Sequence, residues 1–302
     1  MGDTYLLYLV LTVLGSDLVI GLGRLFRVFS RETVRAGRFR RIRLAVTLLV
    51  PAVVLVGGII NHHTIRTVEY AIDVPRRSSS LSELTIAFAS DFHLGRLTSA
   101  RFMEKFTAKV NALKPDIVLI GGDVLEGHGG EDRMAEFKAG FRELKARFGV
   151  YGVPGNHEGF GGNRDAFFSE AGIRLLRDVV VKVDDAFSLA GRADGRARGR
   201  MPIDKLLEGT DGDLPLVLMD HRPSDLERVS RTRVDVQLSG HSHNGQLFPV
   251  NFVTKRQYLL SWGHLNKGRT DFFVSSGIQT WGPPVRTLGR SEILLLRIRF
   301  RD

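Results

Sequence analysis

The sequence predicts an α/β protein that carries transmembrane helices at its N-terminus. Two long apolar stretches occupy the first 60 of its 302 residues, and from residue 83 onward short β-rich runs alternate with amphipathic helical patterns. Alternating strands and helices are typical of a largely parallel sheet with helices packed on its faces. We therefore expect a membrane anchor over residues 1–60, a short stalk over 61–82 and a globular domain over 83–302.

The two apolar stretches have the length of membrane spans. Residues 44–60 contain no charged side chain, and at about 1.5 Å per helical residue they cover most of a hydrocarbon layer roughly 30 Å thick. Residues 5–26 form a longer stretch, but Asp17 would cost roughly 2.5–3.5 kcal/mol at the bilayer centre. The first stretch is therefore expected either to span or to lie along the membrane surface. Two core helices of a soluble protein are the less favoured interpretation, since about 10–14 apolar residues are usual there.

Positive charge is concentrated between the two stretches. The chain has a formal net charge of +10, and its first 60 residues hold eight arginines against three acidic residues. Because cytoplasmic loops are enriched in Lys and Arg, this segment is expected in the cytoplasm, with Arg43 extending toward the interface. The globular domain then lies on the extracytoplasmic side of the cell membrane, whether or not the first stretch spans. The arginines are Arg24, Arg27, Arg31, Arg35, Arg38, Arg40, Arg41 and Arg43.

The composition excludes several classes of site. The chain contains no cysteine, which excludes disulfides, zinc–thiolate sites and cysteine nucleophiles. Membrane topology explains the basic excess, and the sequence shows no interleaving of aromatic and basic residues. No specific nucleic-acid partner is therefore predicted.

Strands and helices alternate through the first half of the globular domain and give way to a strand-rich second half. In the first half the pattern predicts strands at 84–88, 116–120 and 150–153, separated by helices at 98–113, 134–148 and 164–171. In the second half it predicts only short helices, such as 223–229, among strands at 179–183, 187–190, 216–219, 234–238, 272–275 and 293–298. This change from alternating strands and helices to strand-rich sequence predicts a second, more antiparallel sheet packed on the first.

Five polar clusters follow these strand-like runs, and they contain five of the nine histidines. Ligands of open α/β sheets bind at the carboxyl ends of strands, and these oxygen and nitrogen donors suit a pair of hard or borderline divalent cations. Each motif alone is weak, because Asp-x-His and Gly-Gly-Asp are common turn sequences. Their conjunction and order therefore carry the prediction. The clusters are Asp91-Phe92-His93, Gly121-Gly122-Asp123, Gly155-Asn156-His157-Glu158, His221 and Gly240-His241-Ser242-His243.

The ordered clusters resemble the signature of the calcineurin-like metallophosphoesterase family, which is Asp-x-His, Gly-Asp, Gly-Asn-His-Asp/Glu, His and Gly-His-x-His. The resemblance covers residues 84–299. The sequence His243-Asn244-Gly245-Gln246, with residues 275–277 and 284–286 beyond it, is similar to the bacterial membrane-anchored subgroup. Asn244 departs from that subgroup, which has glycine there. The resemblance implies a four-layer sandwich of two mixed β-sheets flanked by helices, located at the bacterial inner membrane.

The same resemblance implies a site for two divalent metal ions with Asp123 bridging them. Manganese, iron and zinc all accept these ligand types, so the identity of the metal stays open. Two dications carry four positive charges and Asp91 and Asp123 supply two negative ones, which leaves a field suited to a hydroxide and a phosphodiester oxygen. By resemblance, one ion is held by Asp91, His93, Asp123 and His243, and the other by Asp123, Asn156, His221 and His241.

The resemblance also implies two catalytic roles. His157 would point at the phosphate and either protonate the leaving oxygen or stabilise the charge of the transition state. Glu126 stands where the family often has an aspartate that orients this histidine. Glu158 matches the signature as well, and its simplest role is to cap the following helix.

Other residues are open to two interpretations. His128 either reaches the substrate or is an ordinary loop residue. Trp262 and Trp281 either border an apolar cleft or pack. A glycine-rich segment with four arginines could bind an anionic head group, although solvated loop charge is favoured. Those arginines are Arg192, Arg196, Arg198 and Arg200.

We therefore expect a membrane-anchored, metal-dependent phosphoric ester hydrolase that acts by direct attack of metal-bound hydroxide. Tethering beside the bilayer favours a phosphodiester or a lipid-linked substrate. Some members of the resembling subgroup cleave the pyrophosphate of UDP-2,3-diacylglucosamine, but that precursor is cytoplasmic and conflicts with the predicted topology, so it ranks second. The alternative from another class is a catalytically silent membrane-tethered binding protein, which is disfavoured because no ligand of the signature is missing.

Overall fold

The computed structural model describes residues 1–126, 133–159, 164–210 and 212–302. His128, which the sequence left open, lies outside these ranges. The described residues begin with two long helices, which lead directly into a domain built on two β-sheets.

The long helices are α1 (Gly2–Leu25) and α3 (Gly37–His63), and the short helix α2 (Arg31–Arg35) lies between them. By length and composition both long helices could cross a membrane, and only 6% and 11% of their most apolar windows are buried. The core helices of a soluble protein would be mostly buried. This exposure disfavours the soluble interpretation.

An ion pair lies between the two long helices. The Arg43 guanidinium is 2.6 Å from Asp17 Oδ1, and it also donates to Ser16 Oγ over 3.3 Å. Further along the two helices, the Tyr5 hydroxyl donates to the Leu48 carbonyl over 3.1 Å. The two contacts together show that α1 and α3 run antiparallel. Arg43, which is expected to extend toward the interface, also pairs with Asp17, the residue that makes the first stretch costly in a bilayer.

The structure differs from the expected stalk, because its central residues form strand β1 (Ile65–Pro75). This strand pairs in parallel with β12 (Ser291–Arg301) along its whole length. Every second residue of its middle part is apolar and packs against the core, which is the pattern of a strand that buries one face. The chain therefore enters the sheet directly after α3. The apolar residues are Val68, Tyr70 and Ile72.

The first sheet contains four more strands, β2 (Glu83–Ala89), β3 (Ile117–Ile120), β4 (Val150–Gly152) and β5 (Arg174–Leu175). Within the described ranges the order is β1-β12-β2-β3-β4-β5. The pairing of β12 with β2 is antiparallel, and the other pairings are parallel. The parallel strands β2, β3 and β4 correspond to the three strands predicted for the first half of the domain.

The second sheet is also mixed. Its strands are β6 (Val179–Val183), β7 (Phe187–Gly191), β8 (Leu216–Met219), β9 (Val236–Ser239), β10 (Gly263–Lys267) and β11 (Thr270–Val274). In the part of the chain that is described, their order is β10-β11-β9-β8-β7-β6. The two edge pairings are antiparallel and the inner pairings are parallel.

The two sheets pack face to face and helices cover their outer faces. Phe88 of β2, Phe187 of β7 and Phe273 of β11 belong to the apolar core between the sheets. On the outer face of the first sheet lie α4 (Ala100–Ala112), α5 (Met134–Arg142) and α6 (Asp165–Glu170), and on that of the second α7 (Ile203–Leu206) and α8 (Leu226–Val229). The predicted four-layer α/β architecture, with two mixed sheets between helices, is confirmed.

Helix α5 is shorter than the sequence predicts. It ends at Arg142, whereas the apolar spacing predicts a helix to residue 148. The Phe148 ring instead contacts the Phe187 ring of β7, with 5.9 Å between the centroids. This contact with the core between the sheets overrides the local helical pattern.

The end of α3 is attached to the domain by direct hydrogen bonds. The Arg286 backbone N–H donates to the Gly58 carbonyl over 3.0 Å, and the Asn61 amide donates to the carbonyls of Arg286 and Gly289. The Ser291 hydroxyl donates to the His62 carbonyl over 2.8 Å. The anchor and the domain are therefore joined by backbone contacts.

Two neighbouring glycines of α3 test this attachment. A Cβ at Gly58 would lie 2.6 Å from Val285 Cγ1, whereas a Cβ at Gly57 would meet no atom within 4 Å. We expect Gly58→Leu to lower the free energy of unfolding by about 1–3 kcal/mol, because overpacking forces neighbouring groups apart. Thermal unfolding of the detergent-solubilised protein measures the effect, and Gly57→Leu is the matched control. Equal melting temperatures for the two variants would contradict the attachment.

Candidate metal centre

The polar clusters lie on loops that follow strand ends, as the sequence predicts. Loops after the first sheet and loops after the second sheet meet at this edge, so the cluster forms only when the sheets pack together. The first sheet supplies Asp91 and His93 after β2, Asp123 after β3 and Asn156 after β4, and the second supplies His221 after β8 and His241 and His243 after β9.

Five of these residues have a left-handed backbone. The φ angles are 59° at Asp91, 43° at His93, 50° at Asp123, 68° at His241 and 50° at His243. Non-glycine residues seldom adopt positive φ, and each costs about 1–3 kcal/mol unless its surroundings hold it. Such residues concentrate at functional sites, so the strain supports the site that the motifs indicate.

The glycines of two motifs leave room for the carboxylates. A Cβ at Gly155 would lie 2.1 Å from Asp123 Oδ1, and a Cβ at Gly240 would lie 2.3 Å from Asp91 Oδ2. Any larger residue would displace the aspartate that it faces. This contact explains why glycine precedes Asn156 and His241.

Asp91, His93 and His243 form the first group of potential ligands. The Nε2 atoms of His93 and His243 are 3.2 Å apart, and His243 Nε2 is 3.3 Å from Asp91 Oδ1. One ligand atom from each residue lies within 4.8 Å of the other two. Two imidazole nitrogens this close require a proton or a cation between them.

Asp123, His221 and His241 form the second group, within the same 4.8 Å limit. His221 Nε2 is 3.1 Å from Asp123 Oδ2. On its other side, His221 Nδ1 donates to the Gly121 carbonyl over 2.8 Å. That hydrogen bond fixes the ring and leaves Nε2 directed at the site, as is common for metal-binding histidines.

Asp123 lies where the two groups meet. It belongs to the second group and also to a group with His93 and His157, while His93 belongs to the first. Asn156 Oδ1 is buried and has no hydrogen-bond partner among the described residues. The arrangement brings the predicted ligands Asp91, His93, Asp123, His221, His241 and His243 together and leaves the Asn156 oxygen available for a cation.

The protonation states also fit a pair of cations. Burial raises the pKa of both Asp91 and Asp123, but His243 and His221 respectively outweigh it and hold these pKa values below their usual range. Burial lowers the pKa of His241 to about 3, and His221 adds to the effect. Two ionised carboxylates with a neutral imidazole are the donor set that borderline divalent ions accept.

His221 shows how strongly this pocket attracts positive charge. Burial lowers its pKa, but Asp123 outweighs burial and raises the pKa to about 10. The buried carboxylate thus holds a proton on the buried imidazole in the absence of another cation. A divalent ion between the two side chains would supply the same compensation, so the residues fit a metal.

Glu126 contacts both His157 and His93. Its Oε2 atom is 3.2 Å from His157 Nδ1 and 2.6 Å from His93 Nδ1. Burial raises the pKa of Glu126, but the two histidine contacts outweigh it and lower the pKa to about 2. Burial lowers the pKa of His157, and its hydrogen bond to Glu126 reverses the effect and raises it. The geometry is the one that an orienting residue needs, and the extra contact with His93 was not predicted.

Glu158 does not cap the following helix. Its buried carboxylate accepts hydrogen bonds from the backbone N–H groups of Asp123, Val124, Leu125 and Gly155, at 2.6–3.1 Å. It therefore ties the loop of Asp123 to the loop of Asn156. Three of the four partners lie 33–35 residues away in the sequence, so local capping rules could not identify this contact.

The four arginines of the glycine-rich segment divide into two pairs. The expectation of solvated loop charge is wrong for Arg192 and Arg200, which are largely buried and contact the buried Asp220; Arg192 lies 3.2 Å from its Oδ2. Arg196 and Arg198 line a cavity of about 350 Å³ that also borders Asn156. Asp220 was missed, and its position directly before His221 is the available signal.

Arg222 is a second residue that sequence reasoning missed. Its Nη1 atom is 3.1 Å from His241 Nε2, and its Nε donates to Asp194 over 2.7 Å. A guanidinium fixed beside the potential ligands can bind anionic oxygens through its remaining N–H groups. Its position next to His221 in the sequence is the only signal that could have identified it.

Arg286 connects the loop that carries His243 to α3. The fully buried guanidinium donates to the carbonyls of Ser276 and Gln279, with 2.6 Å to Ser276, and lies 3.4 Å from the His243 carbonyl. Burial lowers its pKa to about 10, which keeps it charged near neutral pH. Its backbone N–H is the donor to Gly58 of α3.

Known proteins establish the family of this chain. Residues 84–245 match the family model described as calcineurin-like phosphoesterase, which is more than half of the chain. An uncharacterized metallophosphoesterase of Helicobacter pylori is 34% identical over 224 residues, covering 72% of this chain and 60% of that protein. A transmembrane protein with metallophosphoesterase domain from Danio rerio is 31% identical over 296 residues, covering 90% and 67%. The chain belongs to the calcineurin-like phosphoesterase family, as the motifs implied.

Among solved structures, TT1561 of Thermus thermophilus aligns with 63% of this chain and 88% of its own, at a TM-score of 0.42 and 13% identity. The chain spans 60% and 67% of the length of the two curated relatives above. Family membership confirms, at the level of the family, the predicted class of metal-dependent phosphoric ester hydrolase. Two helices able to cross a membrane, together with the transmembrane name of the Danio rerio relative, agree with membrane association.

The Glu158 contact yields a prediction about metal binding. In Glu158→Gln an amide N–H₂ group would face backbone N–H donors, so we expect a loss of about 2–4 kcal/mol in the free energy of unfolding. The loop of Asp123 would loosen, and the metal content measured by elemental analysis would fall. Glu170→Gln is the matched control, because the Glu170 side chain is exposed on α6 and contacts Lys138. Unchanged metal content and melting temperature in Glu158→Gln would contradict this role.

Proposed function

We propose that this protein is a membrane-anchored, binuclear metal-dependent phosphoesterase whose substrate is a phosphodiester or a lipid-linked phosphate ester. The observation that carries the proposal is that two groups of potential ligands meet at one buried carboxylate, Asp123. When bound, two divalent ions would activate water and neutralise charge on phosphoryl oxygens. Manganese, iron and zinc all suit this donor set.

The ligand residues have distinct tasks in this proposal. The first group would hold one ion and the second group the other, and Asp123 would contribute to both. Asn156 completes the second set through its buried Oδ1 atom, which lacks a partner among the described residues. The proposed ligands are therefore Asp91, His93, Asp123, Asn156, His221, His241 and His243.

We assign proton transfer and charge stabilisation to His157. Its Nδ1 atom faces Glu126, and its Nε2 atom lies 4.0 Å from Asp123 Oδ2, on the side of the metal ligands. Glu126 stabilises the protonated ring, so that His157 can donate its Nε2 proton to the leaving oxygen. Glu126, which orients the His157 ring, also contacts His93. It therefore couples the proposed acid to a proposed metal ligand.

The antiparallel arrangement of α1 and α3 supports the proposed membrane location. If both helices span, the chain start and the domain lie on one side of the membrane and the arginine-rich connection lies on the other. The connection belongs in the cytoplasm by the positive-inside rule. We therefore propose that the domain lies on the extracytoplasmic side of the cell membrane, which is the inner membrane in a bacterium.

UDP-2,3-diacylglucosamine is the second candidate substrate. The attachment of α3 to the domain favours a substrate held at the bilayer, because the site sits next to its anchor. The cytoplasmic location of that precursor conflicts with the proposed topology. A soluble diester and this lipid therefore distinguish the two candidates in an assay.

The shared role of Asp123 predicts an asymmetry between two variants. We expect Asp123→Asn to lose both metals, because the bridging carboxylate supplies one of the two negative charges, whereas His221→Ala should lose mainly the metal of the second group. Elemental analysis of purified protein reconstituted with manganese measures the metal content per chain. Retention of both metals in Asp123→Asn would refute the shared site.

Removal of the proposed acid should separate catalysis from metal binding. We expect His157→Ala to retain its metals and to hydrolyse bis-p-nitrophenyl phosphate about 10²–10⁴-fold more slowly, which is the usual contribution of a positioned acid. The control is His264→Ala, since His264 lies on β10 and pairs with Asp271 over 2.6 Å. The same variants are assayed on UDP-2,3-diacylglucosamine in mixed micelles. Unchanged turnover in His157→Ala would remove its assigned role, and metal-replete wild type that is inert on both substrates would favour a silent binding protein.

A further inference from the structure

We propose that the surface formed by Phe248, Val250, Phe252, Val253, Leu259 and Trp281 inserts into the same bilayer as α1 and α3. We call it the docking surface. The inference rests on the membrane anchor proposed above. It assigns a lipid bilayer as the partner of this surface and places the mouth of the metal site at the level of the lipid head groups.

The docking surface is unusually apolar for exposed protein. Its six side chains are 41–63% exposed, and the middle of the surface is the short helix α9 (Asn251–Gln257). The rings of Phe248 and Phe252 contact each other edge to face, with 5.9 Å between centroids. Single exposed apolar residues are ordinary, whereas a contiguous group indicates a surface that another phase or molecule covers.

The surface is continuous with the transmembrane helices. Phe248 lines a cavity of about 580 Å³ together with Tyr8 of α1 and with Val50 and Val54 of α3. Its backbone N–H donates to Thr287 Oγ1 over 3.0 Å, and the Tyr8 hydroxyl contacts the same oxygen. The Phe248 ring therefore lies beside the apolar spans themselves.

The depth of Phe248 follows from the geometry of α3. Val54 lies nine residues before the end of that helix. At 1.5 Å per residue this is roughly 13 Å along the helix axis. If α3 crosses the bilayer, a side chain beside Val54 lies within the hydrocarbon layer. The loop that carries Phe248 must then follow it into the membrane.

The charges beside the docking surface also favour lipid as its partner. Lys255 and Arg256 are exposed on α9, next to the apolar side chains of Phe252 and Val253. Basic residues that flank an apolar face contact anionic head groups while the apolar residues insert below them. A second copy of the chain or a soluble partner would not account for the position of Phe248 against α1 and α3.

The docking surface is joined to the metal site by short connections. The Gln246 side chain donates to the Trp281 carbonyl and accepts from the Trp281 N–H, both over 3.0 Å, and Gln246 is three residues from His243. At the other end of α9, the Tyr258 ring lies 6.2 Å from the His241 ring, centroid to centroid. His243 of the first group of potential ligands and His241 of the second are thus each connected to the docking surface through one intervening residue. A phosphate at the level of the head groups can therefore reach the site.

Three valines allow a matched test in the full chain, which contains no cysteine. Val253→Cys reports the docking surface, Val53→Cys reports the exposed face of α3, and Val179→Cys reports an exposed position on β6, at the far edge of the second sheet. Each variant is nitroxide-labelled and reconstituted into nanodiscs of phosphatidylcholine and phosphatidylglycerol. Accessibility to oxygen and to a water-soluble nickel complex is then measured by electron paramagnetic resonance.

We expect the ratio of oxygen to nickel accessibility to be several-fold higher at 253 than at 179, and to approach the ratio at 53. A lipid-like ratio at 53 with a water-like ratio at 253 would overturn the docking surface and leave the anchor intact. A water-like ratio at 53 would overturn the anchor and the docking surface together. Low accessibility to both reagents at 253 would show that protein covers it and would also overturn the inference.

Discussion

The site depends on one buried carboxylate, that of Asp123, being held where two groups of histidines meet. Three contacts hold it: Glu158 accepts the Asp123 backbone N–H, the His157 backbone N–H donates to Asp123 Oδ1 over 2.8 Å, and Gly155 leaves the space that the carboxylate occupies. These contacts sustain a positive φ that a non-glycine residue would otherwise avoid. Because Glu158 also binds the N–H of Gly155, the loops after β3 and β4 are positioned as one unit.

The metal groups also depend on the packing of the two sheets. His93 belongs to the first sheet and His243 to the second, yet their Nε2 atoms are 3.2 Å apart. Asp123 and His221 likewise come from different sheets and lie 3.1 Å apart. The apolar core between the sheets therefore sets the geometry of the two groups of potential ligands, and a shift of one sheet against the other would separate both pairs. Burial of apolar area is the dominant force in that core, so fold stability and site geometry have the same origin.

The sequence predicts the strands and the polar residues that follow them, but it misses contacts between segments that are distant in the chain. Apolar runs followed by polar residues identify β2, β3, β4, β8 and β9 and the ligands after them, because ligands gather at the ends of strands. Asn244, which replaces the glycine of the resembling subgroup, has φ 50°, a conformation that asparagine tolerates better than most residues, so the departure preserves the turn. The contacts of Glu158 and Arg222 join distant loops, and such contacts produce no periodic pattern in the sequence. Strand β1 was assigned to a stalk even though its apolar residues alternate, because its partner β12 lies over 200 residues away.

Arg286 fixes how the site lies relative to α3, the helix that we propose spans the membrane. Its backbone N–H binds the Gly58 carbonyl of α3, while its guanidinium binds carbonyls of the segment that follows β11. The same guanidinium lies 3.4 Å from the carbonyl of His243, so one residue links the loop of a potential metal ligand to α3. A flexible stalk would let the domain rotate relative to α3. Here β1 instead leads directly from α3 into the sheet, and Arg286 forms a second connection to α3. In the proposed membrane anchor, a domain held at two points would keep one face toward the bilayer, and we infer that this face carries the exposed apolar residues around α9.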